Sequence, residues 1–165
     1  MGVGVGPEAV SGAAGVAVEA LRAVACPSGV GGSLEGWAGA VADLQRVIDV
    51  ASAAQDVAIV ALAAIEVEAL EDGTFREGHR APGHVALDAP AIVSGALCVS
   101  AVHAEARVRS AVRLVVDGPG SARETGLGGL HAAMGCGRLD SYRALVIATE
   151  LEEVPAQVAA GVVAA

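Results

Sequence analysis

The sequence predicts an all-α fold, an irregular helical bundle with one long helix at about 34–70 and several shorter ones. Three observations carry that expectation. Of the 165 residues, 54% are hydrophobic but only 2% aromatic, so the core is to be built from Ala, Val, Leu and Ile. Ala loses no side-chain entropy on entering a helix, so Ala-rich apolar segments favour that state. Next, Leu44, Ile48, Ala51, Gln55, Ala58, Leu62, Ile65 and Ala69 step by alternating four and three, the spacing of one packed helical face. Finally, no segment alternates apolar and polar residues convincingly enough to predict a strand, and no internal repeat is present.

Taken in order, residues 1–32 read as an N-terminal helix and linker. Gly and Val alternate over 1–6, a frayed terminus, and Pro7 suits the first turn of a helix reaching about Ala25. The run PSGVGG at 27–32 is a linker by its turn residues. Residues 33–165 form the second unit. Ser33 is a good N-cap for the long helix, and Gly73 stops it. Asp43, Arg46, Asp49, Asp56, Glu66 and Glu68 lie off its apolar seam, so Leu44, Ile48, Ala58, Leu62 and Ile65 are expected to be buried. A core helix of an antiparallel bundle and an intermolecular coiled coil both fit that seam.

After the polar loop DGTFREGHRAPG at 72–83 come expected helices at about 88–97 and 100–116. A Gly-rich stretch at 117–129 follows, then a helix at about 130–134, a Gly135-Cys136-Gly137 turn and a helix capped by Asp140. Pro155 opens a last helix that runs to Ala165 with no stop signal, which predicts a truncated piece of something longer.

Composition narrows the function classes. All ten basic residues are Arg, Lys and Asn are absent, and the net charge is −9. The Arg bias is what GC-rich codons produce, and the acidity argues against a broad electrostatic grip on nucleic acid. Three cysteines, Cys26, Cys98 and Cys136, form no C-x-x-C pair, which predicts reduced thiols and a cytoplasmic location. Ala23-Val24-Ala25-Cys26 has a lipoprotein look, but Glu8, Glu19 and Arg22 interrupt the apolar stretch and no basic segment precedes it. The longest uncharged apolar stretch, Ala89–Val102, is shorter than the roughly 18 residues a span needs, so no membrane partner is expected.

From Gly126 to Pro155 the chain reads GLGGLHAAMGCGRLDSYRALVIATELEEVP. A short apolar helix and a small-residue turn lead into a helix opening on Leu139-Asp140. That helix continues through Arg143, Ala144, Val146, Ile147, Ala148, Glu150, Leu151, Glu152 and Pro155. This pattern resembles the helical domain of unknown function 222, the thirteen-E-twelve repeat family common in high-GC actinobacteria. The resemblance covers roughly Leu44 to the C-terminus. It implies a helical module that usually precedes an HNH endonuclease domain. The chain contains no Asn, so the central residue of an HNH motif has no candidate. The implied function is therefore a non-catalytic accessory module of an HNH-endonuclease-type protein that would contact or position DNA, with no cofactor and no catalytic residue of its own. A structural helical protein–protein interaction domain with no nucleic-acid role, pairing with itself through the long helix or with another protein, is the alternative.

Several constellations bear on that choice. Residues 92–108 resemble a helix-turn-helix, with Leu97-Cys98-Val99-Ser100 as the turn and Ala104 at its small buried position. The second helix offers His103, Arg107, Arg109 and Arg113 as candidate nucleic-acid contacts against a single Glu105. Their few phosphates would give weak, shallowly salt-dependent binding. Cys98 with His103 and His131 with Cys136 are zinc-type donors, but a spacing of five does not put both on one helical face, so no metal site is predicted. Arg76, His79, Arg80 and His84 read as a polar rim. Glu150, Glu152 and Glu153 read as solvated carboxylates, with Glu150 and Arg143, two turns apart on one face, joined in a structural ion pair through an intermediate neighbour. Gly126-x-Gly128-Gly129 lacks the preceding strand that a phosphate-binding loop requires.

Overall fold

The computed structural model describes residues 6–25, 31–117 and 125–164. Cys26, most of the 27–32 linker, the 118–124 part of the Gly-rich stretch and both chain ends lie outside the described residues. Within them are α1 (Pro7–Val24), α2 (Leu34–Ala63), β1 (Ile65–Ala69), β2 (Phe75–His79) and α3 (Ala89–Leu97). Then come α4 (Ala101–Val115), α5 (Gly128–Gly135), α6 (Ser141–Glu150) and α7 (Ala156–Ala164). The fold is mostly helical with one small antiparallel hairpin, so the all-α expectation holds only in its coarse form.

Local chemistry explains most of the ends. Ser33, Ser100 and Asp140 each cap a helix, their side chains accepting from the backbone N–H of Gly36, His103 and Arg143. Pro7 sits in the first turn of α1, where its missing N–H costs nothing. Cys98, at φ 53° and ψ 40°, ends α3 in the left-handed conformation usually left to Gly.

The long helix departs from expectation in two ways. It stops at Ala63, and Ile65–Ala69 pairs with Phe75–His79, Glu68 opposite Arg76 and Ala69 opposite Phe75. Ile65-Glu66-Val67-Glu68 alternates after all, and Asp72-Gly73 supplies the turn, with Gly73 at φ +80° and the Asp72 carboxylate accepting from Thr74 N at 2.9 Å. Five residues are too few to separate a strand from the last turns of an apolar helix.

The seam expected to be buried is also displaced. Leu44, Ile48, Ala51, Gln55 and Ala58 are exposed, and Leu62 and Ile65 only half-buried. The buried face is instead Asp49, Ala53, Asp56, Ile59, Val60 and Ala63. At 3.6 residues per turn this face lies about 130° round the helix from the predicted one. Counting apolar residues rejects a face that contains two aspartates, and that is why the seam was misplaced.

This second half of α2 is the spine of the molecule. One core cluster gathers Ile59, Val60 and Ala63 with Val93 of α3 and Ala104, Val108 and Ala111 of α4. A second gathers Ala53 with Leu114, Leu127, Leu130, Met134, Ala144, Ala148 and Ala159. Alanine at so many contacts lets the helix backbones approach closely. No helix among the described residues is long and apolar enough to cross a membrane by itself.

Candidate functional site

The two helices α3 and α4 meet at 109° across the three-residue turn Cys98-Val99-Ser100, within the range of helix-turn-helix pairs. Ala104 is fully buried, as the motif wants. The four candidate residues on α4 do not share a face, however. His103 is exposed at the helix start, its Nδ1 3.0 Å from Ser100 Oγ. Arg107 turns inward to α2. Arg109 is exposed and pairs with Glu105 at 3.0 Å, one turn away. Arg113 is pinned to α6, donating to the Ala148 carbonyl at 2.8 Å and lying 3.4 Å from Glu152. Only His103 and Arg109 remain presented to solvent.

The partner of Arg107 is the least expected group in the core. Asp56 has a fully buried side chain, and Arg107 Nη2 lies 2.9 Å from its Oδ1. The aligned hydrogen bond from that nitrogen goes to Gln55 Oε1 at 3.3 Å, and neither Asp56 oxygen accepts one. A charge contact needs only proximity, whereas a hydrogen bond needs alignment as well. Burial raises the Asp56 carboxyl above its usual range, opposed but not cancelled by the charges of Arg107 and His131. His131 itself donates from Nε2 to the Ala53 carbonyl at 3.1 Å. Asp56, Arg107 and His131 therefore tie α2, α4 and α5 together around a fully buried carboxylate.

The expected basic rim is an ion-pair ladder. Arg80 reaches Glu66 at 2.6 Å and Glu68 at 2.9 Å, Arg76 reaches Glu68 at 3.1 Å, and His84 lies 2.6 Å from Glu66. Hydrogen bonds from Arg80 first, then His84, hold the Glu66 carboxyl below its usual range. On α6, Arg143 pairs with Asp140 at 3.3 Å and not with Glu150, because the capping carboxylate lies one turn away. The zinc-type donors go elsewhere too. Cys98 and Cys136 are exposed, and among the described residues no three His, Cys, Asp or Glu side chains converge.

At the Gly-rich loop the chain supplies its own anion. Asp117 accepts from the backbone N–H of Gly128 at 2.6 Å, Thr125 at 2.9 Å and Gly126 at 3.1 Å. Partial burial pushes this carboxyl up, but the three N–H groups outweigh it and hold it below the usual range. Gly126, at φ +72°, has no room for a Cβ, which would fall 2.2 Å from the Ala156 carbonyl oxygen.

An apolar stripe also remains uncovered. Leu34, Trp37, Val41, Leu44 and Ile48 are 89, 49, 67, 44 and 55% exposed, and they step three, four, three, four along the first half of α2. None of α1 is buried, although it touches α2. A groove of about 410 Å³ beside α4 is lined by Val85, Pro90, Val108, Val112, Val116 and Arg109. Comparison of the chain with family models, with curated proteins and with solved structures finds no match.

Proposed function

We propose that this chain is a non-catalytic helical assembly module, the accessory part of an HNH-endonuclease-type protein, and that it acts by presenting the first half of α2 to another protein chain. One observation carries the reading. Five large apolar side chains at heptad spacing stay largely in solvent on a helix whose other half turns one face into the core. Surface patches of that kind mark interaction sites. The resemblance of the Gly126–Pro155 segment to domain of unknown function 222 supplies the nuclease association. Asp140 as cap and Ala144 and Ala148 as core residues give that motif a structural part in the fold.

The reading is tested with Leu34→Glu, diluted until unfolding no longer depends on protein concentration. The unfolding midpoint should match wild type, since Leu34 is 89% exposed in the monomer. A loss as large as that of a core substitution at every concentration would mean the face is covered within the chain, and would overturn the proposal.

DNA contact through α4 is the second reading, favoured by the 109° helix pair and the Ser100 cap. With Arg107 and Arg113 engaged inside the fold, it rests on Arg109 and His103. A DNA titration at two salt concentrations should show weak binding that Arg109→Ala removes. Equal binding by the variant, or none by wild type at low salt, would end this reading.

A further inference from the structure

We infer that the first half of α2 is the interface of a two-fold homodimer, in which two copies of this helix pack antiparallel with Trp37 against Ile48 of the second copy. The inference rests on the assembly-module reading and names its partner, a second copy of this chain.

The stripe is a heptad seam. Leu34, Val41 and Ile48 repeat every seven residues, with Trp37, Leu44 and Ala51 between them. Two such seams in antiparallel register bring the first set of one helix against the second set of the other. The register that fits best places Leu34 on Ala51, Trp37 on Ile48 and Val41 on Leu44, each contact occurring twice about the axis. Sliding by one heptad would set Trp37 against the polar Gln55, so the shorter overlap is preferred. The largest side chain then sits near the end of the overlap, and the axis passes between Val41 and Leu44.

The strips on either side of the seam favour a close self-match. Ala38, Ala40, Gln45, Val47 and Ser52 carry no charge, whereas Glu35, Asp43 and Arg46 stand outside them, Arg46 and Asp43 already paired at 2.6 Å. Two copies of net charge −9 can meet along this line without desolvating a charge. The area is also adequate. At roughly 150–200 Å² for a free large apolar residue, the five exposed side chains offer about 500–600 Å² per copy. Their small neighbours carry the total toward the ~800 Å² per partner of a standard interface. The packed face of α2 begins at Asp49 and lies about 90° round the helix from the seam, which leaves the seam itself open to a second copy.

The experiment is a mass measurement on the full chain over a range of concentrations, by sedimentation equilibrium, with a cross-linking arm. Wild type should approach twice 16.1 kDa as concentration rises. Val41→Glu should remain at the monomer mass with unchanged helicity, and so should Leu34→Glu, whose site in the first turn of α2 offers a milder change to the helix. Added salt should strengthen association, because it screens repulsion between two acidic copies.

Register is read in a background with Cys26, Cys98 and Cys136 changed to Ser. A mixture of Trp37→Cys and Ile48→Cys chains should form an intermolecular disulfide. Trp37→Cys alone should not, its two copies being about 16 Å apart along the axis at 1.5 Å per residue. A monomer at all concentrations, a dimer indifferent to Val41→Glu, a dimer weakened by salt, or cross-linking of Trp37→Cys with itself would each overturn the inference. The two readings fail separately. A wild-type monomer with Leu34→Glu harmless to stability removes only the homodimer. A core-sized loss in the monomer removes the assembly module itself.

Discussion

The two halves of α2 obey the same helical geometry and serve opposite ends. From Leu34 to Ile48 the helix carries its large apolar residues on the solvent side and buries none of them fully. From Asp49 to Ala63 it turns a face of alanines, two aspartates, Ile59 and Val60 into the bundle. The half with the more hydrophobic stripe is the half that packs less. The teaching is that a hydrophobic seam reports where a helix wants a partner, not that the partner belongs to the same chain. Small residues and a partly compensated carboxylate mark the internal face, because neighbouring helices can approach alanine closely and Arg107 accompanies Asp56 into the interior.

The largest expected effect lies in the packed half. Ile59→Ala deletes a buried side chain from the cluster with Val93, Ala104 and Val108, and should destabilise the protein by about 2–5 kcal/mol in denaturant unfolding. An effect below about 1 kcal/mol would mean that this half packs as loosely as the other, and the contrast would collapse.

Much of this architecture was legible beforehand. Pro7, Ser33, Ser100 and Asp140 marked helix starts to within a residue, because capping chemistry is local. The helix-turn-helix pairing of 92–108 was legible too, even with Cys98 in the place of glycine. The hairpin was not, since Ile65 and Ala69 continue the helical four-three pattern as readily as they begin a strand. Nor was the partnership of Arg107 with Asp56, 51 positions away, for which no local signal exists. On the candidate site, residue type marked α4 as arginine-rich. Which arginines stay free was decided by Asp56 and by the Ala148 carbonyl, and neither is apparent until the helices are packed.

A second test concerns the loop that seats α5 against the packed half. Asp117→Ala leaves three N–H groups without their acceptor and should cost about 1–2 kcal/mol, the upper range for loss of a cap. The sign with pH follows from its depressed carboxyl. The stabilisation is present above the carboxyl's unfolded value and is lost as pH falls through the folded one, so wild type and variant should converge in acid. Persistence of the whole difference at low pH would show that the carboxylate charge is not what holds the loop.

Asp56 carries the opposite sign. Its carboxyl is raised by burial, so the folded state binds a proton more readily than the unfolded chain. Its contribution is most favourable in acid and declines as pH rises through the raised folded value. Asp56→Asn should therefore stabilise the protein at neutral pH, and by progressively less on acidification. Arg107 keeps some exposure at 27% and its contact with Gln55, so losing the carboxylate does not strand it. A variant less stable than wild type at pH 7 would show that the ion pair, not the burial, dominates the packed half.

The smallest effect belongs to the free half, and it is the sharpest check on the contrast. Ile48→Ala removes the same atoms as Ile59→Ala, from the same helix, three turns earlier. In the monomer this side chain is 55% exposed, so little burial is lost, and Ala is the better helix former. The two terms oppose each other, and the change should stay within about 0.5 kcal/mol at high dilution, as for other surface positions. At higher concentration, where two copies meet, the same substitution removes the residue that faces Trp37 of the partner copy and should lower the unfolding midpoint. A concentration-independent loss of several kcal/mol would place Ile48 in an internal core and erase the distinction between the two halves of α2.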